Sequence, residues 1–330
     1  MTSLQPEQIT GIVEETARLT EEGYVFAEIG TGIATVLRDR LAAGHYHAAQ
    51  DPEELGKLVT EDLQSVNGDR HLRLKFHPEE IPAKQDSAAM AMMSRFGELS
   101  LGGVPAVERL TGGVVRLEIG PIILPLSLAV EPLTAALNLV AGAQALVLDL
   151  RGCIGGSPET VSYICGYLFD ERTHLNTLYD REDDAETQFW TPPHVPGPRF
   201  GGSKPLAVLT SKATFSGGEE LAYDLQQRGR ARVYGERTGG GANPRVGHTV
   251  HPHLEATIPV ATAINPVSGT NWELVGVAPD VETDPAEALA AAHHALLTEI
   301  AASESDSHSA REAREHLAGA PVADTAATPL

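Results

Sequence analysis

The sequence predicts a protein of the α/β class in which a helical segment precedes a core of alternating strands and helices. Three observations carry this expectation. The first seventy residues place apolar side chains at helical spacing, and from Val114 onward short apolar strands alternate with helical stretches. The strands themselves, such as Ala145-Leu146-Val147-Leu148, are apolar without a break. A strand apolar at every position is buried on both faces, which requires helices on both sides of its sheet.

Ile9, Ile12, Val13 and Leu19 mark a first amphipathic helix. Ile29, Ile33, Val36, Leu37 and Leu41 mark a second, and Leu55, Leu58, Val59, Leu63 and Val66 a third. The third has a defined start: Asp51 as N-cap, Pro52 at the first helical position and Glu54 closing a capping box. Their stripes read as the core of a small subdomain rather than as a partner groove. After Gly68 the period becomes two, with Leu72, Leu74 and Phe76 on one face and His71, Arg73 and Lys75 on the other. Residues 1–77 are therefore expected to form an N-terminal helical subdomain ending in a strand that carries His71.

Residues 78–112 read as a connector with one short helix. Its clustered Met90, Met92 and Met93 either cover a cleft or fill gaps in a core. Residues 113–300 are the expected α/β core, with strands over 114–119, 145–149, 206–210, 231–234 and 256–264. Helices are expected near 130–140, 158–169 and 218–228. Residues 301–330, rich in Ala, Ser, Glu and Asp, read as a disordered tail.

Acidic residues outnumber basic ones 45 to 24, a formal charge of −21. Nucleic acids and anionic membrane surfaces need basic patches, so neither is expected as a partner. Cys153 and Cys165 supply no disulfide framework and no metal-ligand spacing. The opening Met1-Thr2-Ser3-Leu4-Gln5-Pro6 has neither the basic nor the apolar region of a signal peptide, and no apolar run is of membrane-spanning length. The expected location is cytoplasmic, and composition leaves the oligomeric state open.

Two segments carry chemistry. In the first, Leu206-Ala207-Val208-Leu209 reads as a strand and Glu219 to Gln227 as a helix, with Thr214-Phe215-Ser216-Gly217-Gly218 between them. A serine at a strand-to-helix junction is exposed, its glycines admit a substrate, and the helix N-terminus aims N–H groups at developing negative charge. The plain alternative is an N-cap serine followed by flexible glycines. The segment is not G-x-S-x-G, because Thr214 stands at the first glycine. In the second, Asp149-Leu150-Arg151-Gly152-Cys153-Ile154-Gly155-Gly156 follows a buried strand and offers backbone N–H groups to an anion, or merely closes the strand. It is neither a Walker loop nor a dinucleotide fingerprint.

Taken in order, Asp149-Leu150-Arg151-Gly152 with Gly155-Gly156, the run from Thr210 to Glu219, Gly235-Glu236-Arg237-Thr238 and Gly276-Val277-Ala278-Pro279-Asp280 resemble the motifs of the tail-specific (C-terminal processing) peptidase superfamily. That superfamily includes the tricorn core protease and the interphotoreceptor retinoid-binding protein. The resemblance spans residues 10 to about 290. It is nearest to bacterial relatives of the retinoid-binding protein, which share a stretch like Asp69-Arg70-His71-Leu72-Arg73. It implies a crotonase/ClpP-like ββα core, with Ser216 as nucleophile and an oxyanion hole from Gly217 and the Gly155-Gly156 loop.

The resemblance also bears on the base. Tail-specific members use a lysine, but Gly241 stands at that position, and Lys212 lies before the serine, where it does not match. Tricorn-like members use a histidine and a glutamate, whose counterparts are His71 and Glu273. Neutral imidazole accepts the serine proton, and a carboxylate fixes its tautomer and stabilises the imidazolium. These residues lie 145 (216−71) and 57 (273−216) positions apart, so nothing local shows that they meet. Read without the resemblance, His71 is a strand-face histidine and Glu273 a solvated turn residue. Peptidases of the superfamily usually insert a PDZ domain before the Asp-Leu-Arg strand. Only about 35 residues are available here, so no PDZ domain is expected, since one needs roughly 80 or more.

His248, His251 and His253 alternate along a possible strand, but no carboxylate or cysteine completes a ligand set, so they read as solvent-facing. His293-His294 reads the same way. No metal and no cofactor is expected. The resemblance implies a serine hydrolase, most simply a peptidase acting on short peptides or a small amide or ester. The alternatives are a carrier of apolar small molecules such as retinoids or fatty acids, and a biosynthetic enzyme using the same site without peptide cleavage. A histidine base implies activity rising through roughly pH 6–7.

Overall fold

The computed structural model describes residues 4–82, 93–303 and 305–319. They fall into two compact units, each drawn from three stretches of chain. Met90 and Met92 lie outside the described residues; the connector's expected helix is present over 93–99.

The first unit comprises Met1–Arg95, Leu175–Phe189 and Gly240–Gly276. Helices Pro6–Gly23, Ala27–Ala42 and Pro52–Gln64 bury most of the stripes that the periodicity marks, while Val66 lies beyond the third helix and is exposed. The Asp51 side chain accepts the Glu54 N–H at 2.9 Å, and Pro52 opens the third helix. Strand Arg73–Phe76 pairs antiparallel with Leu254–Pro259, which pairs antiparallel with Arg245–His251. Leu74 points inward while Arg73 and Lys75 are exposed, as a period of two requires. Leu254, Ala256 and Ile258 come from far along the chain and join Leu72 and Leu74 in closing the helical core. The expected boundary at residue 77 therefore does not bound this unit: its core is completed by residues more than 170 positions downstream.

A second three-stranded sheet in this unit orders Ala261–Ile264, His174–Asp180 and Ala185–Trp190. The last two strands carry mostly polar residues, which is why no apolar pattern marks them. Strand 256–264 of the sequence reading is two strands, Leu254–Pro259 and Ala261–Ile264, in different sheets.

The second unit comprises Phe96–His174, Trp190–Gly239 and Val277–Leu330. Its six-stranded sheet runs Val281–Glu282, Arg232–Gly235, Leu206–Thr210, Ala145–Asp149, Val114–Glu118, Ala106–Arg109, parallel except for the last pair. Strands Ala145–Asp149 and Leu206–Thr210 are buried at every residue. Helix Pro285–Ala302 covers one face with Ala288, Ala292, Leu296, Leu297 and Ile300. Where the sequence suggests a disordered tail from 301, His308–Leu317 is a helix. Ser307 caps it by accepting the Ala310 N–H, and Ala310 and Ala313 pack into the same core. The alanines that read as low complexity are the small residues this close packing uses. No described helix is long and apolar enough to cross a membrane.

Candidate active site

Ser216 sits where strand Leu206–Thr210 gives way to helix Gly217–Gln227. Its backbone is at φ 49°, ψ −122°, a region non-glycine residues rarely occupy; holding it there costs about 1–3 kcal/mol. The restraint is a buried carboxylate. Glu219, 0% exposed, accepts the Ser216 N–H on Oε2 at 2.9 Å, and its Oε1 accepts a hydrogen bond from the Thr238 hydroxyl. Thr238 Oγ1 in turn accepts the Val277 N–H at 2.7 Å. Three sequence motifs, the Ser216 run, Gly235 to Thr238 and Gly276 to Asp280, thus meet in one latch.

The glycine loop packs directly on this turn. A Cβ on Gly155 would lie 3.0 Å from Ser216 Cβ and 3.4 Å from its Oγ, and one on Gly217 would lie 2.7 Å from the Gly156 carbonyl oxygen. Phe215 N–H donates to the Cys153 carbonyl at 3.0 Å, and Ile123 N–H to the Gly155 carbonyl at 2.8 Å, so the loop is pinned from two sides. Among the described residues, the N–H groups of Gly155, Gly156 and Gly217 donate to no protein acceptor. Open donors beside a serine hydroxyl are what an oxyanion requires.

The Asp149-Leu-Arg motif does a different job. Asp149 accepts from Arg116 Nε at 2.8 Å and from Arg151 Nη2 at 2.6 Å, while Arg151 Nη1 reaches the Pro285 carbonyl. Burial alone would push the Asp149 carboxyl up; the two arginines hold it below its usual range. This carboxylate ties the loop to its sheet. Burial also pushes the Cys153 thiol up to about 11, which leaves it protonated and inert.

His71 belongs to the first unit and lies in a turn two residues before strand Arg73–Phe76, not in the strand. Asp69 Oδ1 accepts the His71 N–H at 2.8 Å, the hydrogen bond of an Asx-turn, and this turn delays the strand. His71 is 8% exposed. Burial drives its pKa down to about 4, with Arg245 and Arg73 adding to the fall and Asp69 opposing it. The imidazole is therefore neutral at pH 7.

Glu273 is half-buried in the same unit, on the segment Trp272 to Gly276. Its Oε2 accepts the Ala242 N–H at 2.5 Å, Trp272 Nε1 donates to the Gly241 carbonyl at 2.8 Å, and Leu274 N–H donates to the Gly240 carbonyl at 3.1 Å. A Cβ on Gly240 would come within 2.9 Å of the Leu274 backbone, and its φ is +81°. The glycine run, with Gly241 at the position of the related motif's lysine, admits the turn that carries Glu273. Asp69, His71 and Glu273 each bring a ligand atom within 4.8 Å of the other two. Such a group has the donor types of a cation site, but the oxygens of Asp69 already take His71 N–H, Tyr24 OH and Asn243 Nδ2, and Glu273 Oε2 takes Ala242 N–H. The donor set fits an acid–base cluster more closely than a metal centre.

The sequence-marked residues thus assemble as two groups: Ser216 with Gly155, Gly156 and Gly217 in one unit, His71 with Glu273 in the other. Lys212 is 82% exposed and ion-paired to Glu236 at 2.8 Å, which raises its pKa. His248, His251 and His253 are half-buried rather than solvent-facing, and His253 Nδ1 lies 3.0 Å from the His77 carbonyl oxygen. His293 Nε2 lies 2.9 Å from the Thr111 carbonyl oxygen, while His294 is exposed. Sequence reasoning missed Glu219, Thr238 and Asn243 as site residues. The capping-box spacing Ser216 to Glu219 was the available signal for the first.

Comparison with known proteins bears on the family and the fold. Residues 127–283 match Peptidase family S41, and residues 5–98 match the N-terminal domain of peptidase S41 in eukaryotic IRBP. The chain is 32% identical over 146 residues to a chloroplastic carboxyl-terminal-processing peptidase 2 of Arabidopsis thaliana. That match takes in 42% of this chain but only 25% of the relative, so the chain spans about a quarter of its length. Among solved structures, mature CPAF aligns over 88% of this chain and 97% of its own with a TM-score of 0.62 at 11% identity. The tricorn protease aligns over 89% of this chain and 36% of its own with a TM-score of 0.57 at 13% identity. At those identities the two structures speak for the fold alone. The chain therefore carries a domain of peptidase family S41, preceded by the N-terminal domain found with that family in IRBP.

Proposed function

We propose that this protein is a serine-type peptidase in which Ser216 attacks the substrate carbonyl and His71, oriented by Glu273, accepts the serine proton. The observation that carries the reading is the strained Ser216 at a helix N-terminus, beside three glycine N–H groups without protein acceptors. As Oγ bonds to the carbonyl carbon, the oxygen takes up negative charge, and Gly217 with Gly155 or Gly156 donates to it; one such donor is worth roughly 3–4 kcal/mol in the transition state. His71 then returns the proton to the leaving amine as the C–N bond breaks, and water releases the acyl group by the same route. Glu273 stabilises the imidazolium formed in each step.

Peptide substrates follow from the family, and the Arabidopsis relative is named for processing carboxyl termini. Short peptides or small amides and esters are the substrates this reading favours, because only about 35 residues separate Phe76 from Val114, fewer than a PDZ domain of roughly 80 needs. The test is covalent labelling with a fluorophosphonate. Wild type should label at one site, Ser216→Ala should not label, and His71→Ala should label at least a hundredfold more slowly. Labelling that survives in Ser216→Ala would move the nucleophile elsewhere. Absence of labelling in wild type would favour a carrier of apolar ligands instead.

A further inference from the structure

Asp69 is fully buried, and three donors converge on it. Oδ1 accepts the His71 N–H at 2.8 Å, and Oδ2 accepts Tyr24 OH at 2.9 Å and Asn243 Nδ2 at 3.0 Å. The network extends one shell further: Asn67 Nδ2 donates to Tyr24 OH at 2.6 Å, and Asp69 N–H donates to Asn67 Oδ1 at 3.3 Å. Burial, with the Asp69 charge added, pushes the Tyr24 phenol well above its usual range, so it remains a donor. None of these donors carries a formal charge, so they orient the carboxylate without cancelling it. Its ligand atom and those of His71 and Glu273 lie within 4.8 Å of one another.

Four charged groups therefore act on the His71 imidazole: Asp69 and Glu273 on one side of the balance, Arg73 and Arg245 on the other. Glu273 is half-buried and accepts the Ala242 N–H, whereas Asp69 is fully buried, accepts three donors and is bonded to the backbone of His71 itself. We propose that Asp69 is a positioning residue for His71, fixing its backbone and supplying the second negative charge that stabilises the imidazolium when His71 takes a proton. The proposal rests on the reading of His71 as the base. It adds that one carboxylate, Glu273, is insufficient for a histidine so deeply buried, and that the base is a His with two acids.

The pH dependence of Ser216 labelling tests this, with each rate divided by the folded fraction that circular dichroism reads at the same pH, because acid erodes stability as well as protonating the base. In Asp69→Asn, Oδ1 still accepts the His71 N–H but the charge is gone. The acid limb should fall by about one to three units, below the measurable range, and the plateau rate should drop at least tenfold. Tyr24→Phe removes a donor from Oδ2 and leaves the charge less shielded. Its limb, after the same correction for folded fraction, should move the opposite way, up by about half a unit. A plateau that falls in Asp69→Asn while the limb stays put would reduce Asp69 to a structural residue and overturn the proposal. So would a Tyr24→Phe limb that stays put or falls, which decides the matter even if Asp69→Asn does not fold. Wild-type labelling rates in His71→Ala would instead remove the underlying reading.

Discussion

The Glu219 carboxylate accepts the Ser216 amide hydrogen at 2.9 Å, and with that bond a buried acid holds a serine in a backbone region that its side chain disfavours. Strain of this kind persists only where the surroundings over-determine it. Here they do: the same carboxylate takes the Thr238 hydroxyl, and Thr238 takes the Val277 N–H. Replacing Glu219 by Ala would leave the Ser216 N–H and the Thr238 hydroxyl without this acceptor. We expect Glu219→Ala to lose roughly 2–4 kcal/mol of stability in urea unfolding. Its phosphonate labelling rate should also fall further than that of Thr238→Val, which leaves the bond to Ser216 in place. Equal effects of the two variants would mean that the serine turn does not depend on the carboxylate.

Gly155 gives the second prediction. Its φ is +135°, and a Cβ there would sit 3.0 Å from Ser216 Cβ. Gly155→Ala must either push the loop away from the serine or turn the Gly155 backbone out of its present conformation. Labelling should slow by at least about a hundredfold, as for loss of an oxyanion donor. The neighbouring Gly152, with nothing within 4 Å of a built Cβ, supplies the control: Gly152→Ala should label within about threefold of wild type.

Much of this was readable before any coordinates, and the reasons are local. The helices announced themselves because Asp51, Pro52 and the stripe from Leu55 to Leu63 agree with one another. The buried strands did so because Ala145 to Asp149 and Leu206 to Thr210 are covered on both faces. The strands His174–Asp180 and Ala185–Trp190 were hidden, since neither presents an apolar face. The division of the chain was hidden too, because Leu254, Ala256 and Ile258 complete a core begun at Ile9. No local pattern reports a partner that far away. Within the site, Ser216 and its glycines were legible as a turn. Asp69 was passed over because its importance lies in three donors from residues 24, 71 and 243.

Lys212 gives a third prediction. It is the lysine nearest in sequence to Ser216, but its ammonium lies in solvent against Glu236, and the pairing raises its pKa. An exposed pair of this kind is worth little. Lys212→Met should leave both the labelling rate and its pH profile unchanged. A large loss would point back to a lysine base and against His71.

The last prediction concerns acid. An unperturbed histidine predicts activity rising through roughly pH 6–7, but burial lowers the His71 pKa to about 4. The acid limb of Ser216 labelling is therefore expected near pH 4, with a flat profile from pH 6 to 8. Stability carries the same signature. Unfolded His71 titrates near 6.5 and folded His71 near 4, so between these values the unfolded chain holds the extra proton and stability rises with pH. The contribution is fully present above pH 6.5, shrinks as pH falls, and is lost at about pH 4. It amounts to roughly 3 kcal/mol across that window. Urea unfolding of wild type and His71→Gln at pH 4.5 and 7 isolates it: the wild type should lose more stability on acidification than the variant, which has no group to titrate there. Equal losses would mean that His71 is not buried as a neutral base. A labelling limb near 6.5 in the same protein would say that solvent reaches the imidazole.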